Sequence, residues 1–190
     1  DRPVRGWVLG VNTHLPAGYD GSHPVPLVIL LHGYTSSGAA QEAYMRFTPL
    51  SDEYGFVYAY PDGTRDFVGN RFWNATDACC NFFGSNENDS GYLLNLVNAI
   101  KGQCNIDARR VYFIGHSNGG FMSYRMACDH SDVIAAIASL AGATFLDGGD
   151  CSPSSPVHVL QIHGTNDAVV FYGGGCFVNC YPGAVGSVEQ

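Results

Sequence analysis

The sequence predicts an α/β fold, with one mostly parallel sheet and helices on both of its faces. Two observations favour this class: short apolar runs alternate with segments of helical periodicity, and each apolar run ends in polar or glycine-rich residues. Such sheets bind ligands where the carboxyl ends of their strands meet. The chain has 190 residues, of which 46% are hydrophobic. We therefore expect one core and a single domain over residues 1–190.

The N-terminal part supplies the first strands and the first helix. Loose alternation over residues 4–15, with Val4, Trp7, Leu9 and Val11 apolar, predicts an edge strand and then a loop. Residues 25–31 are continuously apolar, as in a strand covered on both faces. A helix is expected from about residue 39 to residue 51. The next buried strand is expected over residues 56–60.

The remaining elements are expected in the same alternation. Residues 61–89 lack periodicity, and so long a loop is usually functional or held by disulfides. A helix is predicted over residues 90–101, with Asp89 or Ser90 as its N-cap. A short strand within 133–140 and another at 157–162 follow the central motif described next. Residues 171–186 are expected to be loop, and residues 184–190 to begin a helix.

The central motif lies in residues 111–120. A β-branched and aromatic run ends at Gly115, and a helical segment follows Gly120. Between them, Gly-His-Ser-Asn-Gly fits the G-x-S-x-G pattern, in which the glycines let a strand and a helix approach closely around a serine in a strained turn. The pattern is weak by itself, but the strand before it and the helix after it are the context it requires. Ser117 is therefore the predicted nucleophile.

A serine nucleophile needs donors for the oxyanion that forms on the attacked carbonyl, and an acid that orients its base. We expect the backbone N–H groups of Tyr34 and Asn118 to be those donors. Asp167 follows the strand at 157–162 and is the predicted acid, with Asp147 and Asp150 as weaker candidates.

Other side chains are candidates for the substrate pocket. His32, Trp73 and His116 are expected to border it. The aromatic residues of the loop over 61–89 leave two interpretations open. Trp73, with Phe72, Phe82 and Phe83, either lines an acyl or aromatic pocket or forms a small core within its own loop.

These features resemble the α/β-hydrolase superfamily and, within it, the secreted polyhydroxybutyrate depolymerase and feruloyl esterase group. The stretches that carry the resemblance are residues 28–33, 73–80, 106–112, 115–127 and 156–167. The resemblance implies hydrolysis of carboxylic esters through an acyl-enzyme, with Ser117 as nucleophile and Asp167 as the orienting acid. It implies no metal and no organic cofactor.

The chain departs from this family pattern in one respect. The resemblance implies a catalytic histidine after Asp167, but all seven histidines precede it. His116, His130 and His163 are each more readily structural than displaced bases. We therefore expect that this chain lacks the C-terminal strand and helix of the fold, and that its parent continues past Gln190 and supplies the histidine.

Composition narrows the cellular setting and the partners. The net charge is −8 and no cluster of Lys or Arg occurs, which disfavours nucleic acid and anionic membranes as partners. No apolar stretch reaches the length of a membrane span. Seven cysteines favour a secreted, disulfide-bonded protein over a cytosolic one with buried thiols. Helix and strand lengths place Cys104 and Cys128 near one edge of the sheet, so we expect them to pair.

Three functions remain open at this point. The first is a secreted serine esterase acting on short-chain, aromatic (feruloyl-type) or polymeric esters. The second is a serine peptidase of the same fold, because the catalytic chemistry is shared. The third is a non-catalytic binding module that kept the scaffold and lost the histidine.

Overall fold

The computed structural model describes residues 6–8 and 10–189. Its strands are β1 (Gly6–Val8), β2 (Val11–His14), β3 (Val25–Leu31), β4 (Val57–Ala59), β5 (Thr64–Arg65), β6 (Arg71–Phe72), β7 (Ile106–His116), β8 (Ala136–Leu140), β9 (His158–Ile162), β10 (Gly174–Cys176) and β11 (Cys180–Pro182). Its α-helices are α1 (Gly38–Met45), α2 (Phe47–Tyr54), α3 (Asp89–Gln103), α4 (Asn118–Asp129) and α5 (Ala184–Glu189). A 3-10 turn covers Gly148–Asp150.

The central sheet has the strand order β1-β2-β4-β3-β7-β8-β9. The strands from β4 to β9 in this order pair in parallel, while β2 pairs antiparallel with β1 and with β4. The predicted α/β-hydrolase fold, with a mostly parallel sheet, is therefore confirmed. The loops that follow β3, β7, β8 and β9 consequently emerge at one edge of the sheet.

Side chains of β3 pack on both faces of this sheet, as its unbroken apolar run predicts. Leu27, Ile29 and Leu31 belong to the larger core cluster, which also contains buried residues of α3 and α4. Val28 and Leu30 point to a smaller cluster with Tyr58, covered by residues from the end of α1 and the start of α2. Alternation of side chains along a strand produces this division, and helices accordingly lie on both faces.

The first helix differs from its prediction. The segment expected as one helix over 39–51 is two helices, separated by Arg46, which has a left-handed backbone with φ of 56°. The reason is Glu42, whose carboxylate accepts hydrogen bonds from the N–H groups of Phe47 and Thr48 and so satisfies the start of α2.

The start of α3 also differs from its prediction. Its N-cap is Asn88, whose side chain accepts from the N–H of Gly91, and not Asp89 or Ser90. The carboxylate of Asp89 is engaged elsewhere, with Thr64 and with the main chain of Asn74. The helix still covers the predicted residues 90–101.

Three irregular segments contain more structure than expected. The predicted N-terminal edge strand is a hairpin of β1 and β2, while Val4 and Leu9 lie outside the described residues. The loop over 61–89 contains the short β5-β6 hairpin, and residues 171–186 contain the β10-β11 hairpin. The strand expected within 133–140 begins at Ala136. None of the helices in the described ranges is both long and apolar enough to cross a membrane.

The cysteine pairing corrects one prediction. Cys128 bonds to Cys151, in the loop before β9, and Cys104 is a half-buried free thiol, so the predicted Cys104–Cys128 bond is wrong. Helix and strand lengths place both cysteines at one edge of the sheet, but they do not fix positions across that edge. Burial raises the pKa of the Cys104 thiol. The other bonds join Cys176 to Cys180 and Cys79 to Cys80.

Candidate active site

Ser117 occupies the sharp turn between β7 and α4. Its backbone angles are φ 53° and ψ −120°, a conformation that non-glycine residues rarely adopt and that costs about 1–3 kcal/mol. The neighbouring glycines make this turn sterically feasible. A Cβ on Gly115 would lie 1.9 Å from the carbonyl oxygen of Gly119, and one on Gly119 would lie 2.4 Å from that of Leu31. The structure thus has the strand-turn-helix geometry that the G-x-S-x-G pattern predicts.

The loop after β3 lies directly against the serine. A Cβ placed on Gly33 would lie 3.4 Å from the Cβ of Ser117. Among the described residues, neither the N–H of Tyr34 nor the N–H of Asn118 donates to a protein acceptor. The N–H of Asn118 also lies at the start of α4, where the helix dipole favours negative charge. The role of both groups as oxyanion donors at Ser117 stays a prediction.

Asp167 lies on the loop after β9, two strands from the nucleophile. Its Oδ1 accepts hydrogen bonds from the N–H groups of Val169 and Val170 at 2.9 and 3.0 Å, which fix the carboxylate. Its Oδ2 lies 3.8 Å from Nε2 of His163. Burial lowers the pKa of His116, and the negative charge of Asp167 acts against that shift. Asp167 is therefore within electrostatic reach of the residue that precedes Ser117.

His163 is close to Asp167 but is committed to other partners. The ring Nδ1 accepts from the Gln161 carboxamide at 3.1 Å, and Nε2 donates to the carbonyl oxygen of Val170 at 2.7 Å. Its side chain is only 2% exposed. The hydroxyl of Tyr124, on α4, donates to Gln161. This network ties the loop that carries Asp167 to α4, and it engages both ring nitrogens of His163.

Two of the three residues expected to border the substrate pocket lie in the interior. His32 and Trp73 have no exposed surface, so the expectation that they border an open pocket is wrong. Nδ1 of His32 donates to the carbonyl of Gly33, and Nε2 accepts from the N–H of Gly63. Burial lowers the pKa of His32. His116 is half-buried, with its ring 5.7 Å from that of Tyr44, and its role in a pocket stays a prediction.

The aromatic residues of the loop over 61–89 differ in their exposure. Phe72 and Trp73 are buried and form part of the interior. Phe82 and Phe83 are 46% and 52% exposed, and Phe67 is 89% exposed. The ring of Phe82 lies 5.2 Å from that of Tyr34, beside the proposed oxyanion loop. Exposed aromatic surface therefore lies beside Tyr34.

The other predicted candidates have local partners of their own. Asp147 caps the 3-10 turn through the N–H of Gly149, and Asp150 lies within that turn, before β9. Nε2 of His130 contacts the hydroxyl of Ser90, which donates its own proton to Asp129. That cluster joins α3 to α4, and its serine proton is directed to the carboxylate and not to the imidazole.

Several side chains that support the site are not apparent in the sequence. The carboxamide of Asn118 bonds to the main chain of Trp73, and Arg125 donates to the carbonyl oxygens of Asn74 and Ala75. Asp89 accepts from the N–H of Asn74, and burial raises its pKa against the effect of that bond. Each partner is distant in the chain and belongs to an irregular loop. No local pattern predicts such contacts.

The sequence matches the family described as Esterase PHB depolymerase over residues 9–189. It is 32% identical over 163 residues to feruloyl esterase B of Piromyces equi, covering 84% of this chain and 29% of that protein. It is 31% identical over 137 residues to poly(3-hydroxyalkanoate) depolymerase C of Paucimonas lemoignei, covering 70% of this chain and 31% of that protein. The chain thus spans about a third of the length of these two relatives.

A similar fold occurs in a solved CE1 ferulic acid esterase from Anaeromyces mucronatus. The TM-score is 0.63 at 21% identity, and the match covers 85% of this chain and 68% of that one. At this identity the likeness concerns the fold alone.

Proposed function

Because the chain belongs to the PHB depolymerase family of esterases, we propose that the protein is a secreted serine esterase that cleaves carboxylic esters through an acyl-enzyme. The observation that carries the proposal is the strained turn at Ser117, with the free N–H groups of Tyr34 and Asn118 beside it. Asp167, held by two main-chain hydrogen bonds at the same edge of the sheet, supplies the orienting carboxylate.

The reaction proceeds in two halves. Oγ of Ser117 attacks the carbonyl carbon of the ester, and the base accepts the hydroxyl proton. The carbonyl oxygen becomes an oxyanion that the N–H groups of Tyr34 and Asn118 stabilise. The carbon–oxygen bond to the alcohol breaks, and the alcohol leaves with the proton held by the base. Water then attacks the acyl-serine with the help of the same base, releasing the carboxylic acid and restoring Ser117.

The base itself is proposed to be a histidine other than His163. His163 has both ring nitrogens engaged, while Oδ2 of Asp167 has only the 3.8 Å contact with that ring among the described residues. An imidazole N–H can therefore still approach Oδ2. Within the described sheet, β9 is an edge strand with Leu160 and Ile162 at least half exposed.

The proposed substrates are short-chain, aromatic or polymeric esters. Two of the relatives are named for feruloyl esters and for poly(3-hydroxyalkanoate). The exposed rings of Phe67, Phe82 and Phe83, beside Tyr34, favour an apolar acyl group or an apolar polymer over a charged substrate. A peptide substrate has no corresponding feature among the described residues.

Secretion is proposed from the cysteines. Six of the seven are paired in the structure, including the bond between Cys128 and Cys151 across two elements. Such pairs persist in oxidising compartments and are rare where glutathione keeps thiols reduced.

Hydrolysis by the full-length protein tests the proposal. Turnover of p-nitrophenyl acetate and methyl ferulate is expected, with none of a peptide anilide. The Ser117→Ala variant should lose activity by several orders of magnitude, whereas Ser22→Ala, in an exposed loop, should match the wild type. Cleavage of the anilide in place of the esters would favour the peptidase. A fully folded protein that acts on none of these substrates would favour a binding module.

A further inference from the structure

The two proposed oxyanion donors belong to different parts of the chain, and one buried residue is bonded to both parts. The N–H of Asn118 lies at the start of α4, and the N–H of Tyr34 lies in the loop after β3. Trp73, in the loop after β6, is hydrogen-bonded to the side chain of Asn118 and to the carbonyl oxygen of His32, the first residue of the loop after β3. We infer that Trp73 is a positioning residue that fixes the separation of the two donors, an inference that rests on the proposed esterase reaction.

On the nucleophile side, Asn118 and Trp73 exchange two hydrogen bonds. The N–H of Trp73 donates to Oδ1 of Asn118 at 2.7 Å, and Nδ2 of Asn118 donates to the carbonyl oxygen of Trp73 at 2.9 Å. Asn118 has no exposed surface, so water cannot replace either bond without rearrangement. Because two bonds set both the direction and the distance of the carboxamide, the residue that carries the donor N–H is held against Trp73.

On the other side, β6 and Trp73 hold the two ends of the segment that carries Tyr34. The indole N–H of Trp73 donates to the carbonyl oxygen of His32 at 3.0 Å. The N–H of Thr35 donates to the carbonyl oxygen of Arg71 at 2.8 Å. The peptide groups of Gly33 and Tyr34 lie between these two bonds. Residues 71–73 therefore clamp this short segment at each end.

The indole bond is the direct link between the two donor segments. Donors act only when they lie about 2.7–3.1 Å from the oxyanion, and a displacement of about 1 Å can reduce the rate by 10²-fold. Trp73 has no exposed surface and does not touch the substrate. Its loss should therefore reduce the stabilisation of the transition state and leave ground-state binding nearly unchanged.

The test compares variants of the full-length protein on p-nitrophenyl acetate, with rates expressed per active site titrated by a fluorophosphonate. Trp73→Phe keeps the aromatic packing and removes the indole N–H. Asn118→Asp keeps the size of the side chain and replaces the donor that faces the carbonyl of Trp73. Tyr58→Phe is the control, because it removes a hydroxyl from another fully buried aromatic residue, whose partner is Glu42.

Both site variants should lower kcat by about 10- to 100-fold while KM stays within about twofold. Their affinity for a boronic acid that forms a tetrahedral adduct should fall by the same factor as kcat/KM. The double variant should be no slower than the product of the single effects, because the residues share one network. The Tyr58→Phe control should keep kcat and inhibitor affinity.

Three results would overturn the inference. The first is a kcat within about twofold of the wild type in either variant. The second is a fall in kcat with unchanged affinity for the boronic acid. The third is failure of both variants to fold, which would assign the residues to stability alone. Inactivity of the wild type towards every ester would instead refute the proposed function. The activity of the wild type is therefore measured before any variant is made.

Discussion

His163 and Asp167 lie four residues apart on one loop, yet the imidazole donates to the carbonyl oxygen of Val170 and not to the carboxylate. The N–H of Val170 in turn donates to Oδ1 of Asp167. His163 therefore acts on Asp167 through the main chain, by shaping the loop that carries it.

The His163→Gln variant should consequently lower activity without removing the base. We expect a loss of about tenfold, far below the ~10⁴-fold or more that removal of a triad member causes. The apparent pKa of the low-pH limb in the kcat/KM profile should stay where it is in the wild type. A profile that loses this limb would assign the base to His163.

Asp167→Asn should reduce kcat nearly as strongly as the loss of Ser117. An amide cannot stabilise the imidazolium, and it favours the wrong tautomer of the base, an effect of about 10⁴-fold in serine enzymes. Asp147→Asn is the matched control, since Asp147 only caps the 3-10 turn through Gly149. A greater loss in the Asp147 variant, measured on p-nitrophenyl acetate, would show that the acid is misassigned.

Stability should decrease as the pH falls below about 6.5, in part because of His32. Burial lowers its pKa in the folded state, with Asp62 opposing and Arg71 adding to the shift, so the unfolded chain binds more protons in this range. The contribution of His32 to stability is fully present above its pKa in the unfolded chain, and it is lost as the pH falls towards its pKa in the folded protein. His116 has a pKa shifted in the same direction, also by burial.

Urea unfolding of His32→Gln at pH 7.5 and pH 5.5 measures this contribution. The slope of the unfolding free energy with pH should be shallower than in the wild type, by up to about 1.4 kcal/mol per pH unit. His23→Gln, at an exposed position, should keep the wild-type slope. An unchanged slope in the His32 variant would contradict the assignment.

The exposed rings near Tyr34 should matter for polymers and not for small esters. In the Phe67→Ser/Phe83→Ser double variant, we expect p-nitrophenyl acetate hydrolysis to stay within about twofold and polyester-film hydrolysis to fall by about tenfold, since each aromatic contact is worth roughly 0.5–1.5 kcal/mol. Tyr54→Ser, on α2 and 68% exposed, is the control. Equal losses of activity on both substrates would show that these rings have no specific role in polymer recognition.

The sequence predicts those features that depend on interactions between residues close together in the chain. The turn at Ser117 depends on glycines within two residues of it, so the local sequence predicts its geometry. The break at Arg46 depends on how the carboxylate of Glu42 caps the next helix. Propensity alone does not specify that arrangement.

The failed predictions concern partners that folding brings together. Cys128 pairs with Cys151 because the loop before β9 passes the end of α4. His32 and Trp73 were expected in a pocket because they lie at strand ends and in an aromatic loop. Both side chains are instead buried and form hydrogen bonds with main-chain groups. Such pairings join residues far apart in the chain, and the periodicity of the sequence does not predict them.

Labelling of the full-length protein with a fluorophosphonate, followed by peptide mapping by mass spectrometry, is the most direct test of whether Ser117 is the nucleophile. We expect one modified residue, Ser117, with ester hydrolysis lost in proportion to its labelling as the reagent is added. The Ser117→Ala variant should remain unlabelled. Full ester hydrolysis with Ser117 completely modified, or modification of a different serine that tracks the loss of activity, would show that Ser117 is not the nucleophile.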